Sequence, residues 1–261
     1  MPGALHIARS GLEALDARLR TISNNLANAN TVGFKRDRAA FETLLYQTER
    51  PAGAPAGADN RFGMGLATGA GVRVAGSERV HAQGGFTLTG NALDLAIDGE
   101  GLFEVQLPDG TSAYTRAGAF TRDGEGRIVT PQGYRIVPEI QIPEGATGIT
   151  IAPDGTVSAL NPGETEPAEL GRITLATFIN PAGLEPVGEN LFRETVASGA
   201  PTVGNPGEAG VGRIRQGALE ASNVSTVQEL VDMIETQRAY EINAKVIQAA
   251  DEMMRYVNQS V

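Results

Sequence analysis

Leu5, Ala8, Leu12, Leu15, Leu19, Ile22 and Leu26 recur at alternating steps of three and four residues. On a helix that spacing lines one stripe, and a mean step of about 3.5 residues is that of a coiled-coil seam. Gly33 follows as a left-handed residue suited to stop a helix. A second helical pattern fills the C-terminus. It opens at Ser225 with Gln228 three residues on, the spacing of a capping box. Val224, Val227, Val231 and Ile234 form its first seam. Ala239, Ile242, Val246, Ala249, Met253 and Tyr256 form its second, shifted by one residue near Arg238 as in a stutter. A helix of about 35 residues, at roughly 1.5 Å per residue, would reach about 50 Å.

Between these ends the period changes. Phe103, Val105 and Leu107 alternate with Leu102, Glu104 and Gln106, and Pro108-Asp109-Gly110 turns the chain into Ser112–Arg116. Asp123-Gly124 separates Ala119–Arg122 from Arg127–Thr130, and Pro153-Asp154-Gly155 separates Ile149–Ala152 from Thr156–Leu160. Arg172–Ile179 reads as one further strand. Thirteen of the 14 prolines and 30 of the 33 glycines lie between residues 39 and 217, and residues 218–261 hold neither. Helix breakers are thus confined to the middle. The pattern predicts an α+β chain: mainly-β central domains, with the N- and C-terminal helices pairing as a discontinuous coiled-coil domain. The expected division is 1–38 with 218–261 as the helical part, 39–90 with 191–217 as a connecting part, and 91–190 as an outer β part. One stretch, YQTERPAGAPAGADNRFGMG at 46–65, is rich in Gly, Pro and Ala, and reads either as a flexible loop or as a segment with a role of its own.

Charge adds to this picture. Residues 1–38 carry six basic and three acidic side chains, whereas 218–261 carry three basic and seven acidic. Opposite signs favour pairing of the two ends, although screened surface charges contribute little each. The whole chain has net charge −10, which disfavours nucleic acid and anionic membranes. There is no cysteine, so disulfides and thiol chemistry are excluded. With only His6 and His81, a His-rich metal site is excluded as well. His81 lacks a G-x-S-x-G partner motif and reads as a packing residue. Gly99-Glu100-Gly101 breaks off before a dinucleotide fingerprint, and Asp94 and Asp98 lack Ca²⁺-loop spacing. Neither an apolar run long enough to span a membrane nor an uninterrupted apolar leader occurs.

SNNLANANTVGFK at 23–35 resembles the signature of the bacterial flagellar basal-body rod and hook family, matching it at Asn25, Leu26, Ala27, Asn28, Thr31, Gly33 and Phe34. ELVDMIETQRAYEINAKVI at 229–247 is similar to that family's C-terminal helix, and ALDLAIDGEGLFEV at 92–105 and YTRAGAFTRDGEGRIVT at 114–130 fit its middle. FETLLYQT at 41–48 with the Gly/Pro-rich run after it is similar to the stretch typical of distal rod subunits; proximal rod and hook-type subunits are the alternative, and a secreted β-domain enzyme or adhesin a distant one. The resemblance implies a non-enzymatic subunit, without cofactor or metal, exported without a cleaved signal through the flagellar export apparatus. It implies terminal segments that order only on assembly, and a head-to-tail tube crossing the periplasm, transmitting torque and letting export substrates pass. Partners would be further copies, proximal rod proteins, the hook protein, the P-ring and L-ring proteins and the rod cap. Assembly would rest on Leu5, Leu12, Leu15, Leu19, Ile22 and Leu26 against Val231, Ile234, Ile242, Val246 and Met253. Asn24, Asn25 and Asn28 would contact neighbouring subunits or cap locally, and Gly33 and Phe34 would end and anchor the first helix. A stiffening role would fall to 46–65, with Tyr46, Pro51, Pro55, Asn60, Phe62 and Gly65.

Overall fold

Where Pro and Gly are scarce the chain is helical; where they are dense it is stranded and turned. The computed structural model describes residues 2–55, 61–146, 148–161, 166–208 and 210–259. Asn60 lies outside the described residues. The chain forms two compact units. The first comprises Met1–Ala27, Asp37–Glu78 and Ser225–Val261; the second comprises Asn28–Arg36 and Arg79–Val224. The backbone therefore passes from one to the other after residues 27, 36, 78 and 224.

In the first unit, helix α1 spans Pro2–Ala27 and helix α2 spans Thr226–Gln259. They run antiparallel: Asn25 of α1 meets Glu229 of α2, while Gly11 approaches Asn243. The first helical bond of α2 closes from the Glu229 N–H to the Ser225 carbonyl at 3.0 Å. Gln228 does not complete the anticipated box; it sends its amide forward to Asp232 at 3.1 Å. The helix continues unbroken through Arg238. Gly33 is not the residue just past α1, which ends six residues earlier.

The rest of this unit is one antiparallel ribbon. Asp37–Thr43 pairs with Val72–Arg79, and Tyr46–Arg50 pairs with Leu66–Gly69. The Leu44 N–H donates to the Gly71 carbonyl at 2.9 Å between the two ladders, so they form a continuous arm. The ribbon is tied to α1 through Ser10, whose hydroxyl accepts the Val72 N–H at 3.3 Å and donates to the Ile7 carbonyl at 2.8 Å. The described residues of 46–65 form the far part of this hairpin, with Pro55 bridged to Arg61.

The second unit is built on a nine-stranded antiparallel sheet among the described residues. Leu102–Gln106 is central: it pairs with Ser112–Thr115, Arg135–Val137 and Leu175–Thr177. Smaller sheets join Leu95–Asp98 to Arg213–Gln216, Phe86–Leu88 to Ala218–Glu220, and Gly148–Ile151 to Thr156–Leu160 and Ala168–Arg172. The Asp-Gly turns work through the aspartate. Asp109 Oδ1 accepts the Thr111 N–H at 2.9 Å, and Asp154 Oδ1 accepts that of Thr156 at 3.1 Å. The strand anticipated over 172–179 is two strands. Ile173, fully buried, leaves the first ladder and donates its N–H to the Gly155 carbonyl.

Alternation in Leu102–Gln106 places Phe103 and Val105 in a core with Leu95, Ile97, Phe120 and Ile136, all at most 1% exposed. Phe103 and Phe120 meet edge-on at 5.1 Å, the geometry favoured by ring quadrupoles. Gly118 is needed beside them, because a Cβ would fall 1.6 Å from the Leu95 carbonyl oxygen. Phe103→Ala is expected to lower the stability of this unit by about 3–5 kcal/mol, read from urea unfolding.

Candidate functional site

The surfaces left in water are informative in the first unit. Its buried apolar residues are Ala8, Ala14 and Ile22, among the described residues. Leu5, Leu12, Leu15, Leu19 and Leu26 are half-buried. On α2 the two most withdrawn residues are polar, Glu229 and Thr236, each 1% exposed. Ala239, Asn243, Ile247 and Ala250 continue that face, half-buried or nearly so. The anticipated seam points elsewhere. Val231, Ile234, Ile242, Val246 and Met253 are 45–62% exposed. At about 100° per residue Val231 and Ile234 lie broadly opposite the Glu229–Thr236–Asn243 line, and Ile242, Met253 and Val246 lie to its side. Val246, at the edge of the strip, also borders a groove with Ile7, Gly11 and Val72. The two helices do pair, but the strong apolar stripe of α2 does not serve that pairing. One ion pair crosses between the helices, Arg18–Asp232 at 4.0 Å, while Arg9–Glu13 and Arg20–Asp16 lie within α1.

The asparagines have distinct fates. Asn25 is 1% exposed. Its amide makes a paired bond with the backbone of Asp37, accepting the N–H at 2.9 Å and donating to the carbonyl at 2.8 Å. The same Nδ2 donates to Glu229 at 3.3 Å. One side chain thus joins the end of α1, the base of the ribbon and the first turn of α2. Asn28 is local, accepting both the Thr31 hydroxyl and, through its carbonyl, the Thr31 N–H at 3.1 Å. Asn24 is exposed.

In the ribbon, Tyr46, Met64 and Leu66 are exposed, as is Leu45. Gly53 and Phe62 hydrogen-bond across the hairpin at 2.9 Å, and the Arg50 guanidinium stacks 3.8 Å over the Phe62 ring. Pro51 and Pro55 lie on the same arm, and Gly65 packs where a Cβ would meet the Ala52 nitrogen at 2.9 Å.

The Thr31–Lys35 stretch belongs to the second unit. Gly33 has φ +68°, and a Cβ there would stand 2.7 Å from the backbone of Arg116 and Ala117. It is required by that approach rather than by a helix end. Phe34 is buried beside it. Lys35, invisible to pattern reasoning, is 2% exposed and donates to Glu220 at 2.6 Å and to the Ala82 carbonyl at 2.9 Å. Glu220, fully buried, also takes the Gly84 N–H at 2.8 Å and the Nε–H of Arg116. Arg116 in turn donates to the carbonyls of Ile97, Gly99 and Gly101. Burial pushes the Glu220 carboxyl up; Arg116, Lys35 and the Gly84 N–H overcome this and hold it below its ordinary value. His81 packs at 5.9 Å from Phe192, and burial, then Lys35, Arg79 and Arg116, hold its pKa down to about 4. It is a neutral packing group at pH 7. Both Glu220 oxygens are taken by neighbours, whereas the buried His81 Nε2 has no hydrogen-bond partner among the described residues. No helix of the described residues is long and apolar enough to cross a membrane.

These features belong to a known class of axial structural proteins. The family model for flagella basal body rod proteins matches residues 5–35, that for the flagellar hook protein FlgE/F/G D1 domain matches 96–159, and that for the flagellar basal body rod FlgEFG C-terminal region matches 215–260. The chain belongs to the flagellar basal-body rod family, on the side of its FlgG members. It is 49% identical to the flagellar basal-body rod protein FlgG of Buchnera aphidicola from Acyrthosiphon pisum, with 98% of each chain covered. Against two members from Caulobacter vibrioides the identity is 48% to FlgG, with 98% of each chain covered, and 35% to FlgF, covering 98% of this chain and 96% of the other.

Glu220→Ala leaves Lys35 and Arg116 buried without their carboxylate, and is expected to destabilise the second unit by about 3–5 kcal/mol in urea unfolding. The acid side follows from the signs. His81 is held below its unfolded value, so stability is lost as pH falls from about 6.5 toward about 4. Glu220 is likewise depressed, so its contribution is full above about 4.3 and lost below that. In His81→Leu the upper part of this decline is expected to flatten, leaving the lower part in place.

Proposed function

We propose that this chain is a structural subunit of the flagellar distal rod, polymerising head-to-tail into a rigid helical tube that carries motor torque to the hook. One observation carries the reading: α2 keeps Ile234, Ile242 and Met253 at least half exposed in a unit that buries almost no large aliphatic side chain of its own. Such a strip is completed by contacts from other subunits, and non-closing heterologous contacts give a helical filament.

In the tube, the helices within 1–38 and 218–261 form the inner core around the export channel, with 91–190 in the outer wall. The chain catalyses no reaction in this role and holds no cofactor. Proximal rod proteins, the hook protein, the P-ring and L-ring proteins, the rod cap and the export apparatus are its partners, along the periplasmic span of the basal body. The segment 46–65 stiffens the tube by packing between neighbours, through Tyr46, Pro51, Pro55, Asn60, Phe62 and Gly65.

Ile234→Asp combined with Ile242→Asp is expected to abolish swimming and isolated rods, while near-UV circular dichroism of the purified chain stays unchanged. Motile cells would overturn the reading. Deleting 46–65 is expected to give bent or flexible rods in electron micrographs; straight rods would remove the stiffening role.

A further inference from the structure

Two faces of α2 compete for α1, and the less apolar one has it. An ordinary amphipathic helix would turn Val231, Ile234, Ile242 and Met253 inward. Here the inward line is Glu229, Thr236 and Asn243, and the apolar line stays in water. One contact across the helices bears on this choice, and two bonds on the α1 side support it. Glu229, 1% exposed, is held by Asn25 at 3.3 Å. Asn25 is fixed in turn by its two bonds to the Asp37 backbone. Thr236 turns its hydroxyl back onto the Asp232 carbonyl at 2.6 Å, so it sits against α1 without an unmet polar atom. Rolling α2 to bring its apolar line inward would break the Asn25–Glu229 bond, while Asn25 kept its two bonds to the Asp37 backbone. Buried polar contacts of this kind fix register at the expense of stability.

We propose that the Asn25–Asp37–Glu229 junction is a register lock: it holds α2 against α1 by its polar face, so that the apolar face stays free for a second copy of this chain. That the occupant is a second copy rests on the rod reading. Continuity supports it, because the strip runs along the same face from Val227 to Tyr256 and is 71% and 78% exposed at its two ends. The lock also makes the three segments interdependent. α1, the ribbon base and α2 share one side chain, so losing it loosens all three together.

Two variants of the full chain test this. Asn25→Ala is expected to speed amide exchange several-fold in residues 2–27, 37–43 and 226–259 alike. Acceleration confined to 2–27 would overturn the lock. Thr236→Leu with Asn243→Leu makes the inner face apolar. It is expected to strengthen the intrachain pair, seen as slower proteolysis of both ends in the purified chain, and to reduce rod assembly and swimming. Slower proteolysis with undiminished swimming would overturn the claim that weak pairing keeps the strip available. The exchange and proteolysis measurements on purified chain do not depend on the rod reading. That reading fails separately if the Ile234→Asp, Ile242→Asp chain supports swimming.

Discussion

Large apolar side chains leave water almost wholly in one of the two units. Leu95, Ile97, Phe103, Val105, Ile128, Ile136 and Leu175 are at most 1% exposed in the sheet unit, whereas the helical unit buries Ile22 alone among its described large aliphatics. Full burial of each such residue is worth about 1.5–3 kcal/mol, and half-exposed leucines forgo part of it. The sheet unit can therefore hold itself, while the helical unit is left with two long helices, an arm, and little to offset the ordering of their backbone. That imbalance is the ground for the proposal that the helical unit draws on contacts from other subunits.

Each unit solves a problem of specificity with a buried polar knot. In the sheet unit one carboxylate, Glu220, gathers segments far apart in sequence through Lys35, Arg116 and the Gly84 N–H. In the helical unit one amide, Asn25, does so for α1, the ribbon and α2. Hydrophobic burial is nondirectional and tolerates several registers; a carboxylate between two cations does not. The signature SNNLANANTVGFK holds one member of each knot, Asn25 and Lys35, and between them Gly33, which admits the Arg116–Ala117 backbone.

Much of this was legible in the sequence, and the remainder had physical reasons to stay hidden. The 3.5-residue period and the absence of Gly and Pro from 218–261 mark both helices to within a few residues. The Asp-Gly turns mark the hairpins because the aspartate bonds its own loop. The ribbon from Asp37 to Arg79 carries no such sign: most of its residues are exposed on both faces, so alternation has nothing to report. The orientation of α2 was misleading for the opposite reason. Periodicity finds the most apolar stripe, and here that stripe is not the one that meets α1. Gly33 was read as a helix stop because a left-handed glycine after a helix has that use; its true constraint comes from a chain segment more than eighty residues away. Lys35 and Glu220 could not be paired from spacing alone, since nothing local links them.

The passage of the backbone between units has a consequence for anyone who cuts the chain. The sheet unit is not one continuous stretch; it borrows Asn28–Arg36 from the N-terminal side. A fragment beginning at Arg79 would keep every strand of the nine-stranded sheet and still lack Lys35, leaving Glu220 to Arg116 and the Gly84 N–H. It would also lack Gly33, whose N–H bonds the Glu220 carbonyl at 2.8 Å. A recombinant middle domain trimmed at the obvious proline- and glycine-rich boundary is thus a different molecule, missing a strut that arrives from the other end of the gene.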